Sequence, residues 1–314
     1  MKILILGAGG IGGYFGGRLA AAGADVTFLV RPKRREQLAR DGLVVESPLG
    51  NLKLPVKTVL ANELAGGYDA ILFTCKAYDL DSAMDAIAPA VKGEVAIVPL
   101  LNGLAHLERL DERFGAARVL GGTAHINVTL KPDGTVWHGD VLQNMLFGER
   151  DRSKSPRVLA LDEATKRAGI GGGLSEDIVQ DLWEKIVFLS ALAATTCLFR
   201  GNVSEIVGAP GGKEAMRQAL AANAAIAVAE GRAPRPTALQ RFNERLTDPE
   251  GLWSASMLRD LEAGGQVEAD HIVGWMLERA RKHHLDDTIL SIAYTHLKAY
   301  ERRRAAGRLP GGQG

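Results

Sequence analysis

Short apolar blocks alternate with amphipathic blocks along the first 115 residues of this 314-residue chain. Each apolar block is bounded by glycine or charged residues, as is typical of buried strands, and the blocks between them have helical spacing. The predicted strands are residues 2–6, 25–30, 68–75 and 94–99, and the predicted helices are residues 10–22, 79–88 and 105–114. Strands that alternate with helices predict a parallel, doubly wound sheet, which binds ligands beyond the carboxyl ends of its strands.

The first predicted strand runs directly into a glycine-rich loop with the pattern G-x-G-x-x-G. In this pattern the first glycine allows a tight turn, the second lets a pyrophosphate approach the backbone, and the third lets the following helix pack closely on the strand. The predicted cofactor-binding loop comprises Gly7, Ala8, Gly9, Gly10, Ile11 and Gly12. Because a complete strand–helix–strand unit surrounds it, the sequence predicts a Rossmann-type domain that binds a dinucleotide.

Positive charge is concentrated just after the second predicted strand, in the segment Arg31-Pro32-Lys33-Arg34-Arg35. NAD-binding sites place an acidic residue near this point to bind the ribose 2′-OH, whereas arginine accommodates the 2′-phosphate of NADP. Between the end of this strand and Glu36 there is no acidic residue, so the four positive charges favour NADP(H). The alternative is a solvated basic start to a helix, although basic residues there oppose the helix dipole.

The pattern changes after residue 119, where short β-like runs and turn residues predict antiparallel strands that close the first domain. The predicted runs are residues 121–129, 135–138 and 141–147, with a turn at Gly139-Asp140, a helix at 153–168 and a glycine-rich linker at 169–173. Beyond the linker nearly everything is helical, with predicted helices at residues 178–200, 211–230, 237–246, 252–263, 269–283 and 286–304.

The predicted fold is therefore α/β plus all-α. An NADP-binding Rossmann-type domain is expected at residues 1–172, a helical substrate domain at 173–306 and a disordered tail at 307–314. The reaction is expected in the cleft between the two domains.

Composition and charge narrow the range of partners. The chain has 46% hydrophobic and 24% charged residues with a net charge of +1, which indicates a globular protein without a global field for nucleic acids or membranes. Cys75 and Cys197 form no disulfide framework or metal-ligand spacing, so we expect buried thiols and no metal. No signal-peptide pattern opens the sequence, and the apolar run 186–199 is too short to span a bilayer, which predicts a cytoplasmic protein.

A reductase that uses a nicotinamide must also supply a proton to the carbonyl oxygen of its substrate. Lys185 is the candidate, because the largely apolar second half of its predicted helix would desolvate the ammonium and lower its pKa. The alternative is a lysine whose ammonium reaches solvent. Ser256 and Glu268 form a second polar constellation, but by spacing alone Glu268 is explained as an acid at a helix start.

Several motifs occur together in the order and spacing typical of ketopantoate reductases, which this chain resembles over about residues 1–300. They are GAGGIG at residues 7–12, LVRP with Arg31, TCKAYD with Lys76, LNG with Asn102, WEKIVFLSAL with Lys185, and SASMLRDLEAGGQVEADHIVG with Ser256 and Glu268. The last motif, with its serine and glutamate twelve residues apart, is fairly specific.

The resemblance implies the reduction of 2-dehydropantoate to (R)-pantoate with NADPH, in the route to pantothenate and coenzyme A. On the cofactor side, it implies that the glycine loop holds the pyrophosphate, that Arg31 and Lys76 hold the adenosine-phosphate end, and that Ile126 contacts the cofactor through its backbone. Asn102 would touch both cofactor and substrate.

On the substrate side, the resemblance implies that Lys185 is the general acid and that Ser256 binds the carboxylate end of the substrate. Glu268 would hold the cofactor and position the lysine. These roles come from the family and not from the spacing of the residues.

The sequence departs from the family on the substrate side. Ketopantoate reductases carry asparagines four and eight residues after the lysine, where this chain has Leu189 and Ala193, and a polar residue where it has Leu101. Each missing hydrogen bond would change substrate discrimination by about 1–3 kcal/mol. The cofactor residues are intact, whereas the substrate residues are altered.

Three functions therefore remain open. The protein reduces 2-dehydropantoate with Asn202, Ser256 and Thr195 as substitute polar groups, or it reduces a more apolar 2-oxo acid or related carbonyl with the same lysine. In the third, it is a non-catalytic NADP(H)-binding sensor, which would need neither Lys185 nor Glu268. The expected partners are a small 2-oxo acid and a second copy of the chain in a homodimer.

Overall fold

The computed structural model describes residues 1–309, and the chain divides into two compact units. The first unit contains residues 1–101 and 106–179, and the second contains Asn102–Ala105 and the chain from Gln180 onward. Of the predicted disordered tail at 307–314, residues 310–314 lie outside the described residues.

The first unit contains all the strands of the described chain. The second unit contains nearly all of α6 and the helices that follow it. The strands are β1 (Lys2–Leu6), β2 (Asp25–Leu29), β3 (Leu43–Glu46), β4 (Leu52–Leu54), β5 (Lys57–Val59), β6 (Ala70–Phe73), β7 (Ala96–Pro99), β8 (Gly121–Leu130), β9 (Val136–Gly148) and β10 (Gly171–Leu174). The helices are α1 (Gly10–Ala21), α2 (Pro32–Asp41), α3 (Leu80–Ile87), α4 (Ala105–Phe114), α5 (Pro156–Arg167), α6 (Ile178–Phe199), α7 (Val203–Gly208), α8 (Gly212–Ala229), α9 (Pro236–Leu246), α10 (Ser256–Glu262), α11 (Trp275–Lys282) and α12 (Thr288–Ala305).

The central sheet of the first unit is parallel and has the strand order β5-β2-β1-β6-β7. Strand β1 lies in the middle, and Ile3, Leu4 and Ile5 are completely buried, as expected for a strand that is covered on both faces. The alternating pattern of residues 1–114 predicted these elements with ends within two residues of those observed, so the doubly wound sheet is confirmed. The short strands β3, β4 and β5 were not predicted.

A second sheet in the first unit has the order β10-β9-β3-β4, and β8 pairs with β9 in antiparallel fashion. The predicted turn at Gly139-Asp140 does not separate two strands, because β9 continues from Val136 to Gly148. Instead, Ile126 pairs with Gln143 and Val128 pairs with His138, so residues 139–142 bulge out of the ladder. The turn residues were recognised, but their effect is a bulge and not a chain reversal.

The glycine-rich stretch predicted as a linker is strand β10, which pairs in parallel with β9. Gly172 lies opposite Met145, and its φ of +90° belongs to the left-handed region that favours glycine. A Cβ at this position would lie 2.7 Å from the carbonyl oxygen of Met145. The glycines therefore permit close pairing, and the first unit extends through this strand to Val179.

The second unit is helical, as predicted, from α6 to α12. Helix α7 was not predicted; it begins at Asn202, whose side chain and that of Glu205 form a capping box. Residues Asp270–Gly274 form a wider π-type turn that leads into α11.

Helix α6 is long and apolar enough to cross a membrane by length and composition, with a mean hydropathy of 1.5 in its most apolar window. However, 72% of that window is buried inside the protein, as in the core helix of a soluble protein. The short length of the run 186–199 therefore does not by itself argue against a membrane span, since the whole helix is long enough. The burial of the helix within the protein is the stronger evidence against a span.

The pairing of β10 can be tested with a matched pair of glycine substitutions. Gly172→Ala should lower the free energy of unfolding by about 3 kcal/mol or more, because it adds a backbone clash to left-handed strain. Gly169→Ala should cost only about 1–2 kcal/mol, since Gly169 has a φ of +66° and nothing within 4 Å of its Cβ position. Urea unfolding of both variants measures the difference, and equal losses would contradict the pairing of β10.

Candidate active site

The glycine loop between β1 and α1 is built by close backbone approaches. Gly7 has a φ of +88°, and a Cβ on Gly12 would lie 2.3 Å from the carbonyl oxygen of Gly7. Thr74, just after β6, closes the other side: its hydroxyl donates to the carbonyl of Leu6 at 2.6 Å and would lie 2.6 Å from the same Cβ. Side chains are thus excluded from the inside of the turn.

The start of α1 has the properties of an anion-binding site. The preceding residue, Gly9, supplies no side-chain cap, the first turn contains no acid, and nothing lies within 4 Å of the position that a Cβ on Gly9 would occupy. The first N–H groups of a helix have no partners within the helix and carry partial positive charge. These features fit the pyrophosphate of a dinucleotide.

Strand β8 lies beside the beginning of α1. A Cβ on Gly10 would lie 3.2 Å from the side chain of Val128. Between Ile126 and Val128 the pairing with β9 shifts register, so the backbone next to Ile126 leaves the regular ladder. Ile126 itself is partly buried against the core of the first unit.

The four basic residues after β2 have different environments. Arg34 is half-buried and donates to the carbonyl oxygens of Ala8 at 3.1 Å and Gly134 at 2.9 Å, and burial lowers its pKa. Arg35 binds both carboxylate oxygens of Glu63. Arg31 and Lys33 are exposed, whereas Arg34 and Arg35 bind groups within the chain.

Two further charged residues follow the carboxyl end of β6. Lys76 precedes the short turn Ala77–Asp79 and is partly exposed. The carboxylate of Asp79 lies 3.5 Å from the guanidinium of Arg31. The parallel arrangement of β2, β1 and β6 brings these residues to the same edge of the sheet as the glycine loop.

Asn102 follows β7 but belongs to the short stretch Asn102–Ala105 that joins the second unit. The next residue, Gly103, packs against the backbone of His271, since a Cβ there would lie 2.6 Å from the carbonyl oxygen of His271. Asn102 is thereby held against the segment that follows Glu268, and it is partly exposed.

Lys185 and Glu268 form the charged centre of the second unit. Lys185 keeps part of its surface open to solvent, but protein atoms surround its ammonium. Burial lowers the pKa of Lys185 from 10.5 to about 8, and the negative charge of Glu268, which is 5% exposed, partly opposes this shift. An amine with this pKa can both hold and release a proton near neutral pH.

The turn of α6 that carries Lys185 is fixed by Arg235. The side chain of Arg235 donates to both carboxylate oxygens of Glu184 at 2.7 Å, its backbone N–H donates to the same group at 2.9 Å, and it also binds Asp181. Burial alone would raise the pKa of Glu184, but these bonds hold it below its usual value. Arg235 therefore stabilises the helical turn next to the lysine.

The remaining predicted substrate residues have mixed outcomes. Ser256 is the first residue of α10 and is partly exposed. The carboxamide oxygen of Asn202 caps α7 by accepting from the N–H of Glu205, and the hydroxyl of Thr195 is fully buried and donates to the carbonyl of Ala191. The carboxamide oxygen of Asn202 and the hydroxyl of Thr195 are therefore engaged within the chain, whereas Asn202 itself is partly exposed.

The residues that replace the family's polar groups are apolar and mostly buried. Leu101 is 3% exposed and Ala193 is fully buried, whereas Leu189 is partly exposed. Leu189 lies four residues after Lys185 and so shares its face of α6. This face of α6 is thus apolar one turn beyond the lysine.

Cys197 is buried, as predicted, and burial raises the pKa of its thiol to about 12, which makes it unreactive. Cys75 is partly exposed, so the expectation of a buried thiol is wrong for this residue. Within residues 1–309, no group of three His, Cys, Asp or Glu side chains is arranged to hold a metal ion.

Thr74, Arg34 and Arg235 were not predicted to support the site. Thr74 lies at the end of a predicted strand and Asp79 follows it, and this position could have marked them as candidates. Arg34 and Arg235 gave no such signal, because each contacts groups that are far away in the sequence.

A glycine loop at the tip of a parallel sheet, together with a buried lysine and a glutamate on a helical unit, defines a dinucleotide-binding reductase. Residues 3–152 match the family model described as ketopantoate reductase PanE/ApbA, and residues 177–301 match the one described as ketopantoate reductase PanE/ApbA C terminal. The chain belongs to the ketopantoate reductase family, and it is an oxidoreductase.

Known relatives match over nearly the whole chain. An uncharacterized oxidoreductase YkpB of Bacillus subtilis is 34% identical over 304 residues, which is 97% of this chain and 100% of that protein. The crystal structure of 2-dehydropantoate 2-reductase from Methylococcus capsulatus superposes with a TM-score of 0.87 and 26% identity, over 97% of this chain and 98% of the other. D-mandelate dehydrogenase with NADH and anilino(oxo)acetate shares the fold, with a TM-score of 0.85 and 20% identity over 97% of this chain and 100% of that one.

The balance of burial and charge at Lys185 can be measured directly. The rate at which an amine-reactive reagent labels Lys185, followed by mass spectrometry across pH, should show an inflection near 8. Glu268→Gln should move the inflection to lower pH, because the charge that favours the ammonium is removed. Glu262→Gln, which removes an exposed carboxylate of the same unit, should leave it unchanged, and an inflection near 10.5 in the wild type would refute the burial of the ammonium.

Proposed function

We propose that this protein reduces a 2-oxo acid with NADPH and that Lys185 is the general acid. The observation that carries the proposal is the lysine whose pKa is lowered to about 8 beside the buried carboxylate of Glu268. The substrate that family membership favours is 2-dehydropantoate, whose reduction gives pantoate for pantothenate and coenzyme A synthesis.

The coenzyme would be held by the first unit. The open N-terminus of α1 suits the pyrophosphate, and the exposed Arg31 and Lys33 suit a 2′-phosphate. Lys76 would add positive charge from the end of β6, and the backbone beside Ile126 is free of the regular ladder. These features support NADP(H) as the coenzyme.

When bound, the nicotinamide would supply the hydride. Lys185 holds the proton that the carbonyl oxygen of the substrate needs as its negative charge develops. With a pKa of about 8, the amine can regain a proton near neutral pH between turnovers. Glu268 raises the pKa of Lys185 and so keeps a larger share of the amine in its acidic form.

Recognition of the substrate would fall to Ser256 and Asn102, which are polar and partly exposed in the second unit. The hydroxyl of Ser256 can donate a hydrogen bond to a carboxylate, and the carboxamide of Asn102 can donate and accept.

A cytoplasmic location and a homodimer formed through the helices remain part of the proposal.

A second candidate is the reduction of a more apolar 2-oxo acid. It is favoured by Leu189, which places an apolar surface on the same helix face as Lys185 where the family's pattern has asparagine. A hydroxyl on the substrate would find no hydrogen-bond partner at this residue, whereas an alkyl or aryl group would find contact. The ternary structure of D-mandelate dehydrogenase contains NADH and anilino(oxo)acetate, so this fold is compatible with an aryl-bearing 2-oxo ligand.

The role of Lys185 predicts a specific pH dependence. Reduction should be nearly constant below pH 7 and should fall as pH rises through about 8, because the lysine then loses the proton that it must donate. Lys185→Ala should lower kcat by about 100-fold or more while calorimetry shows unchanged NADPH binding. Lys185→Arg, which keeps the charge but cannot release its proton, should be similarly slow, and normal turnover of either variant would refute the role.

The substrate can be identified with a panel of 2-oxo acids of graded polarity, assayed with NADPH. If Leu189 shapes the pocket, kcat/KM should be higher for alkyl and aryl 2-oxo acids than for 2-dehydropantoate. Leu189→Asn should then shift the preference toward 2-dehydropantoate by about tenfold, as expected for one regained hydrogen bond. A wild-type preference for 2-dehydropantoate would favour the first candidate, and no turnover of any carbonyl would favour a non-catalytic NADP(H) sensor.

A further inference from the structure

Arg31 and Asp79 approach each other from opposite sides of the central strand. Arg31 follows β2 and Asp79 follows β6, and these strands flank β1, whose end carries the glycine loop. The guanidinium of Arg31 and the carboxylate of Asp79 are 3.5 Å apart, and their side chains are 80% and 40% exposed. A negative charge therefore lies beside the arginine that is best placed for a 2′-phosphate.

Helix capping does not explain the orientation of Asp79. The residue immediately precedes α3, where aspartate commonly accepts a hydrogen bond from the first turn, but its side chain makes no such bond. An ion pair as exposed as that with Arg31 contributes little to stability. Its position at the ligand-binding edge of the sheet suggests a role in binding.

We propose that Asp79 is a specificity-determining residue that weakens the preference for NADPH and admits NADH. This inference rests on the proposed function, because it concerns the coenzyme of the same site. In NADPH, the carboxylate of Asp79 competes with the 2′-phosphate for Arg31 and repels it. In NADH, the same carboxylate can accept a hydrogen bond from the ribose 2′-OH.

In this chain, the acid beside the coenzyme ribose would come from a different strand than in the usual NAD-binding site. NAD-binding sites normally place the acid at the end of the second strand, and this chain has arginine there. The structure supplies an acid from the end of β6 instead. The chain thus presents a cation and an anion together at the point where the two coenzymes differ.

The test uses half-coenzymes, which bind without any catalytic step. Isothermal calorimetry at low salt would measure the binding of 2′,5′-ADP, the phosphorylated fragment, and of 5′-ADP, the unphosphorylated one. Asp79→Asn should tighten 2′,5′-ADP by about tenfold, equivalent to about 1.4 kcal/mol, because one unit of negative charge near the phosphate is removed. The affinity for 5′-ADP should be unchanged or a few times weaker.

Asp81→Asn is the matched control. It removes the same charge two residues away on α3, where Asp81 is 74% exposed and pairs with Arg109 at 2.5 Å. Neither fragment should bind differently to this variant. In addition, the gain from Asp79→Asn should shrink in 0.5 M salt, because exposed charges are screened over about 4–5 Å at that ionic strength; a purely structural effect would persist.

Arg31→Ala separates this inference from the proposed function. It should weaken 2′,5′-ADP much more than 5′-ADP if the 2′-phosphate binds at Arg31. If Arg31→Ala has that effect but Asp79→Asn behaves like Asp81→Asn, the role of Asp79 is refuted and NADPH use stands. If neither fragment binds the wild-type protein, the proposed coenzyme site fails and the role of Asp79 fails with it.

Discussion

Burial disfavours the ammonium of Lys185, whereas the charge of Glu268 favours it, and the proton affinity of the lysine depends on this balance. The result is a pKa of about 8, between that of a solvated lysine, which holds its proton too firmly, and that of a lysine buried without a carboxylate. The second unit maintains the balance. Arg235 fixes the adjacent turn of α6 through Glu184, and Glu268 is itself almost fully buried.

In the first unit, the glycine loop depends on the exclusion of side chains. At the end of β1 the backbone of Gly7 and the hydroxyl of Thr74 leave no room for a Cβ on Gly12, while the space above Gly9 is open. Backbone N–H groups can therefore face an anion without competition from side chains. Arg34 donates a hydrogen bond to the carbonyl of Ala8 in the glycine loop. By its position in the sequence it resembles a phosphate ligand, but in the structure it stabilises the loop.

Membership of the ketopantoate reductase family establishes the kind of reaction more firmly than the substrate. The chain has the glycine loop and Lys185, but the three positions where the family resemblance leads one to expect polar groups are apolar: Leu189 is partly exposed, and Leu101 and Ala193 are buried. A substrate hydroxyl that is buried against an apolar side chain loses its hydrogen bonds to water, so such a position disfavours it relative to an apolar substituent. Relatives with similar coenzyme machinery can therefore differ in substrate.

The sequence by itself determined the elements of the parallel sheet, the glycine loop and the helical second half, because strand and helix periodicity and glycine spacing are local properties of the chain. It did not reveal that residues 169–173 form a strand, since the pairing of Gly172 with Met145 depends on a partner in β9. Nor did it separate Arg34 and Arg35, which bind groups within the protein, from the exposed Arg31, or place Asp79 beside Arg31. These features depend on contacts between residues distant in sequence, and only the tertiary structure brings those residues together.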